Sequence, residues 1–174
     1  LHIEGGYRTF NFFKPFPEEI IRYVVSKFSD YVVCFDKTSF ENLENMKIKG
    51  QIVRISRNTI FDTIDKKKQH RFDKSKLIVS IHRNENIFNK KTLEEFVDFL
   101  LELKLKYFEN IFWYMHPQTR KQIKKNSFEK KLMENEISVL NIVNHDSFIN
   151  EIFNSGCVIT DGESVIEECS IIGV

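Results

Sequence analysis

The chain of 174 residues carries 26 basic and 25 acidic side chains, a formal net charge of +1, and 41% hydrophobic residues. A balance that close supplies no global field to draw it onto nucleic acid or an anionic membrane, so neither is an expected partner and affinity for anions must be local. No apolar run approaches the roughly 18 residues of a membrane span, and nothing resembles a signal peptide.

In chain order, short apolar runs alternate with longer amphipathic ones. A helix over Glu18–Ser29, with Pro17 suited to its first turn, leads to a strand at Tyr31–Phe35; a helix at Ser39–Met46 leads to a strand at Ile52–Ile55. Further strands are expected at Leu77–Ile81, Ile111–Met115, Ile137–Leu140 and Cys157–Thr160. Helices are expected at Thr92–Tyr107, Thr119–Glu134 and Ser147–Asn154. Thr92 reads as the cap of its helix, with Glu95 at the capping-box position. Repeated strand-helix alternation implies an α/β fold with parallel sheets covered by helices. The lysine-rich stretch Asp65–Ser75 reads as a domain linker, and Lys66–Lys68, like the lysines from Lys121 to Lys131, as solvated surface. The opening Leu1 in place of Met, and the closing Ile171–Val174, which reads as the entry to another buried strand, lead to the expectation of a fragment incomplete at both ends.

Open α/β sheets bind ligands beyond the carboxyl ends of their strands, and four motifs fall there. Thr160-Asp161-Gly162 follows one strand and opens a helix, whose first-turn N–H groups suit a diphosphate; a turn that merely caps the helix explains it equally well alone. Glu168, one to two turns in, suits ribose hydroxyls. His82 follows a strand and is joined by Arg83, a titratable donor beside a fixed cation, fit for a phosphate leaving group. His116-Pro117 occupies the same kind of position after the next strand. Glu4 and Glu18 bracket a strand-to-helix passage, and two carboxylates in one cleft titrate apart, so that one acts as base while the other stays protonated. A charged helix start accounts for Glu18-Glu19 as well. His2, His70, His82, His116 and His145 show no metal-ligand spacing with Cys34, Cys157 and Cys169, so no metal is expected. The odd cysteine count without C-x-x-C spacing reads as reduced thiols in a cytoplasm.

Taken together, H-x-E-x-G-x-R-T at His2–Thr9, Pro15-Phe16-Pro17-Glu18-Glu19, Asn58-Thr59 with Asp62, His82-Arg83-Asn84-Glu85, and Thr160-Asp161 followed by Glu167-Glu168 resemble the UDP-N-acetylglucosamine 2-epimerase family, with the non-hydrolysing type favoured. The resemblance implies a glycosyltransferase-B type fold, two Rossmann-like domains with parallel sheets. Residues 1–62 would be the C-terminal part of the first domain, and 63–174 most of the second, UDP-binding one. It implies epimerisation at carbon two of a UDP-N-acetylhexosamine through elimination and re-addition of UDP, without a cofactor, for surface polysaccharide precursors. The partner would be a UDP-sugar, and a homodimer is a further expectation. Carried over by motif, Glu4 and Glu18 match the acid/base carboxylates and His82 the phosphate-facing histidine. Arg8, Arg83, Phe148, Gly162, Ser164 and Glu168 are the expected substrate-binding residues, with Arg8 open to a purely anchoring role.

The chain departs from the family pattern where Ser-Gly-Gly is expected after Thr160-Asp161 and Gly162-Glu163-Ser164 stands instead. A carboxylate at a phosphate-cradling turn repels a diphosphate unless it points away. Ile166 and Arg57 replace a usual glutamine and glycine. A fragment of this extent is expected to be inactive alone. Gly5-Gly6 also resembles the hydrolysing epimerases that release N-acetylmannosamine and UDP, and Glu163 suits a nucleotide-sugar-binding domain without turnover. A glycosyltransferase of the same fold would not need the Glu4 and Glu18 pair.

Overall fold

The computed structural model describes residues 1–14, 16–62, 64 and 72–174. Pro15 and residues 65–71 of the expected linker, with Lys66–Lys68 and His70, lie outside the described residues. The chain divides into two compact units, Leu1–Phe61 and Asp62–Val174.

In the first unit, α1 (Glu18–Phe28), β1 (Tyr31–Cys34), α2 (Lys37–Asn45) and β2 (Gln51–Arg54) follow in order, and a 3-10 turn begins at Thr59. The strands pair in parallel, Tyr31 against Gln51 through Cys34 against Arg54. Residues 2–5 run beside β1: His2 bridges Val32, and the Gly5 N–H donates to the Val33 carbonyl at 2.8 Å. Glycine is required there, because a Cβ on Gly5 would stand 2.2 Å from Val32 Cγ1, and Gly6 has φ 93° with Ser39 O 2.3 Å from its would-be Cβ. Val32, Cys34 and Leu43 form the buried core, with Phe40, Met46 and Ile52 against it. Asp36 caps α2 through the Ser39 N–H at 2.7 Å. Pro17 is the residue before α1 rather than part of it, and the two residues that α1 buries are Glu19 and Ser26.

The second unit is a parallel sheet in the order β5-β4-β3-β6, from β3 (Lys76–Ser80), β4 (Asn110–Met115), β5 (Ile137–Asn141) and β6 (Cys157–Thr160). Between them lie α3 (Asn84–Ile87), α4 (Lys90–Lys106), α5 (Pro117–Lys125), α6 (Glu129–Glu134) and α7 (His145–Phe153), and α8 (Glu163–Ile172) closes the chain. The continuous apolar run Leu77-Ile78-Val79 is fully buried, as a strand covered on both faces demands. One layer packs Leu93, Val97 and Leu100 of α4, Ile123 of α5 and Leu132 of α6 against Leu77, Val79 and Trp113. The other packs Ile149, Ile152 and Phe153 of α7 with Cys169 of α8 and Val158.

Local expectations change. Ile171 and Ile172, expected to enter a strand, are the last residues of α8, which Gly173 ends at φ 89°. Asn89, not Thr92, caps α4: its side-chain oxygen accepts the N–H groups of Lys91 and Thr92, and asparagine is as strong a cap standing one turn earlier. The single helix expected over Thr119–Glu134 is α5 and α6, separated where Ser127 adopts φ 62°, a left-handed residue that ends a helix. The short α3 after His82-Arg83 carried no periodicity long enough to read.

Candidate active site

The sheet order places β4 and β5 on one side of β3 and β6 on the other, so the chain reverses its direction of winding between β3 and β6. That is the topological switch point, where the loops leaving two neighbouring parallel strands splay apart and leave a crevice. Ser80 pairs with Thr160 at the ends of these strands. The register therefore delivers His82-Arg83 and Asp161-Gly162 side by side, although they are nearly 80 residues apart in sequence.

Asp161 organises this end of the sheet. Its carboxylate accepts the His82 N–H at 3.0 and 3.1 Å, the Arg83 N–H at 2.9 Å and the Asn86 side-chain amide at 2.9 Å. Its Oδ1 also stands 3.1 Å from His82 Nδ1. Burial pushes the Asp161 carboxyl up, but the Asn86 amide, the two backbone donors and nearby His82 outweigh it and hold the group below the usual carboxylate range. The His82 ring stacks on that of His116, the residue capping α5, with centroids 4.7 Å apart. Burial first, then His82, holds His116 below the ordinary histidine range, against an opposing pull from Asp161. Thr119 of α5 ties in the β3 end through a 2.9 Å bond to the Ile81 carbonyl.

Gly162 is the residue before α8 and supplies no side-chain cap, leaving the first-turn N–H groups available. Arg83 reaches across to Glu163 on that turn at 2.8 Å, with both side chains largely exposed. The unexpected carboxylate is thus neutralised by the neighbouring loop's cation. Ser164 is exposed on the same turn, and Glu168, four residues on, lies along the same helix face. Glu168 is buried, and its Oε1 meets His145 Nε2 at 2.6 Å. Phe148 stands one turn after His145 on α7 and packs edge-on against Tyr114 at 5.4 Å. Burial, then Glu151, pushes the Tyr114 hydroxyl up to about 12.

In the first unit, Glu4 lies in the left-handed region, φ 59°, where the segment beside β1 turns away. Its exposed carboxylate accepts the Thr59 hydroxyl at 2.8 Å. Asn58 accepts the Ile60 N–H and so shapes the turn that presents Thr59. Glu18 is exposed at the start of α1. Its neighbour Glu19 is fully buried and paired with Arg8 at 2.6 Å, while accepting the N–H groups of Thr9 and Phe10. Arg8 is 4% exposed, lies over the rings of Phe10, Phe12 and Tyr23, and therefore anchors the loop. Sequence reasoning missed Glu19, Asn86 and His145 as partners; the only signal for any of them was their place beside residues already singled out. Among the described residues, no group of three or more His, Cys, Asp or Glu side chains is placed to hold a metal ion, and no helix is long and apolar enough to cross a membrane.

The UDP-N-acetylglucosamine 2-epimerase family model matches residues 1–174. A UDP-N-acetylglucosamine 2-epimerase from Methanocaldococcus jannaschii is 28% identical over 99% of this chain and 51% of its own length. A UDP-2,3-diacetamido-2,3-dideoxy-D-glucuronate 2-epimerase from Pseudomonas aeruginosa is 26% identical over 99% of the chain and 49% of its own length. The crystal structure of the M. jannaschii UDP-GlcNAc 2-epimerase in complex with UDP-GlcNAc and UDP superposes with a TM-score of 0.79 at 27% identity, over 99% of this chain and 51% of that one. The chain thus spans about half the length of these relatives, and its α/β fold with parallel sheets is of their glycosyltransferase-B type. On its motifs, its fold and a match that runs from the first residue to the last, the chain belongs to the UDP-N-acetylglucosamine 2-epimerase family.

Proposed function

We propose that the intact protein interconverts UDP-N-acetylglucosamine and UDP-N-acetylmannosamine. One of Glu4 and Glu18 takes the proton from carbon two, the bond from carbon one to the diphosphate oxygen breaks with its electron pair leaving on UDP, and a glycal remains. Re-addition of UDP at carbon one, with proton delivery to the opposite face of carbon two by the other carboxylate, gives the epimer, and no redox cofactor takes part. His82 faces the departing diphosphate; Arg83, Gly162 and Ser164 hold its charge; Glu168 takes the ribose hydroxyls and Phe148 lies along the base. Arg8 keeps the Glu4 loop in place through Glu19.

The observation that carries this reading is the meeting of His82 with the open first turn of α8 at the switch point of a parallel sheet. On it, residues 1–62 are the C-terminal part of the first Rossmann-like domain and 63–174 most of the second, the protein is cytoplasmic and homodimeric, and its product enters surface polysaccharide precursors. A hydrolysing outcome is the second reading, favoured by Gly5-Gly6, and nucleotide-sugar binding without turnover the third, favoured by Glu163. Incubation of the intact protein with UDP-N-acetylglucosamine in deuterated water separates them. Epimers carrying deuterium at carbon two support the proposal, free N-acetylmannosamine with UDP supports hydrolysis, and saturable binding with neither product supports a binding domain. The Pseudomonas relative's substrate belongs in the same assay, because the groups at carbons three and six are what distinguish the two sugars.

A further inference from the structure

We infer that Asp161 is a positioning residue for His82: it keeps the imidazole proton on Nδ1 and leaves Nε2 as the only ring atom through which His82 exchanges a proton with the ligand. The inference rests on the reading of His82 as the diphosphate-facing group. Asp161 Oδ1 lies 3.1 Å from His82 Nδ1, and the Asp161 side chain is 11% exposed. Three other donors already converge on the carboxylate, the N–H groups of His82 and Arg83 and the Asn86 amide, so it is held as an anion that only accepts. At this distance the carboxylate charge repels a bare lone pair on Nδ1 and attracts an N–H. His116 covers one face of the His82 ring, and a Cβ on Gly162 would stand 3.5 Å from His82 Cε1, so the ring edge between the two nitrogens abuts the start of α8. The charged and titratable groups around His82 are therefore Asp161 from the loop after β6, His116 at the head of α5, and Arg83 paired with Glu163.

The decisive variant is Asp161→Asn. With its amide nitrogen at the Oδ1 position, its oxygen still accepts from the N–H groups of His82 and Arg83 and from Asn86, which all reach Oδ2. The change is confined to the Oδ1 position, where the polarity toward His82 Nδ1 reverses and the His82 N–H gives up one of its two acceptors. The amide then donates to Nδ1 and drives the proton to Nε2.

Nitrogen-15 NMR of imidazole-labelled intact protein reads the protonation of each ring nitrogen, with His82→Asn supplying the assignment. The expected result is Nδ1–H with bare Nε2 wherever the ring is neutral, switching to Nε2–H in Asp161→Asn. Turnover should fall about 100-fold or more in that variant, the scale of a lost proton-transfer group, with KM moving far less. Asp161→Glu should restore Nδ1–H and part of the turnover. Nε2–H in the unsubstituted protein overturns the inference, and that measurement stands even if the variant fails to fold. Wild-type turnover in a variant whose tautomer has switched also overturns it. If instead His82→Asn keeps full turnover while the unsubstituted ring shows Nδ1–H, the reading of His82 falls and the positioning by Asp161 survives.

Discussion

Glu18 and Glu19 are adjacent, identical in type and at the same helix start, yet the fold exposes one and buries the other, and substitution should separate them. Glu19 is 0% exposed and Arg8 4%, and the Glu19 carboxylate takes Arg8 Nε at 2.6 Å, Phe10 N at 3.1 Å and Thr9 N at 3.2 Å. Glu19→Gln keeps the shape but leaves a buried guanidinium without its counter-charge, a loss of about 3–5 kcal/mol. Glu18→Gln removes only an exposed first-turn acid, worth about 0.3–1 kcal/mol against the helix dipole. With urea slopes of about 1–3 kcal/mol/M, Glu19→Gln should lower the midpoint of the first unfolding transition by about 1 M or more, and Glu18→Gln by no more than about a third as much. Turnover should show the reverse order, falling in Glu18→Gln while the folded remainder of Glu19→Gln stays active. Equal losses of stability, both under about 1 kcal/mol, would refute the argument that desolvation of this ion pair sets the stability of the Arg8 loop.

The same carboxyl has a pH signature: burial pushes it up, but the Arg8 bond, the Thr9 N–H, the Arg8 charge and the Phe10 N–H together bring it below its ordinary value. A depressed folded value means stability present above the unfolded carboxylate range and lost as pH falls through the folded value, so acid titration of Glu19→Gln should show a flattened limb; an unchanged limb assigns it elsewhere. Glu163→Gly should free Arg83 and tighten UDP binding about two- to fivefold, the scale of an exposed ion pair, while slightly destabilising the unliganded protein; calorimetric titration giving equal or weaker affinity means the carboxylate does not oppose the diphosphate. In a substrate complex of the intact protein, the Glu4 and Glu18 carboxyl groups should lie within about 10 Å of each other, and opposite faces of the sheet would end their pairing.

What was legible in the sequence was local. Alternating apolar runs and amphipathic stretches announced an α/β chain with parallel strands, because the periods of 2 and 3.6 are written in neighbouring residues. Motif combinations named the family, and the loops after Leu77–Ile81 and Cys157–Thr160 stood out because strand-end polar residues have no packing reason to be there. What only the tertiary structure decided was long-range. The pairing of Ser80 with Thr160 brings His82 against Asp161, and nothing in either loop states which strand will be its neighbour. Asp161 therefore read as a turn residue, whereas in the fold its carboxylate fastens two loops and faces an imidazole. The same holds for Glu19: one step along a helix turns a side chain by about 100°, and which of two adjacent acids is buried depends on the Arg8 loop folded over it. Local periodicity fixes the kind of element, but the desolvation and pairing of a charge are settled only when distant segments close around it.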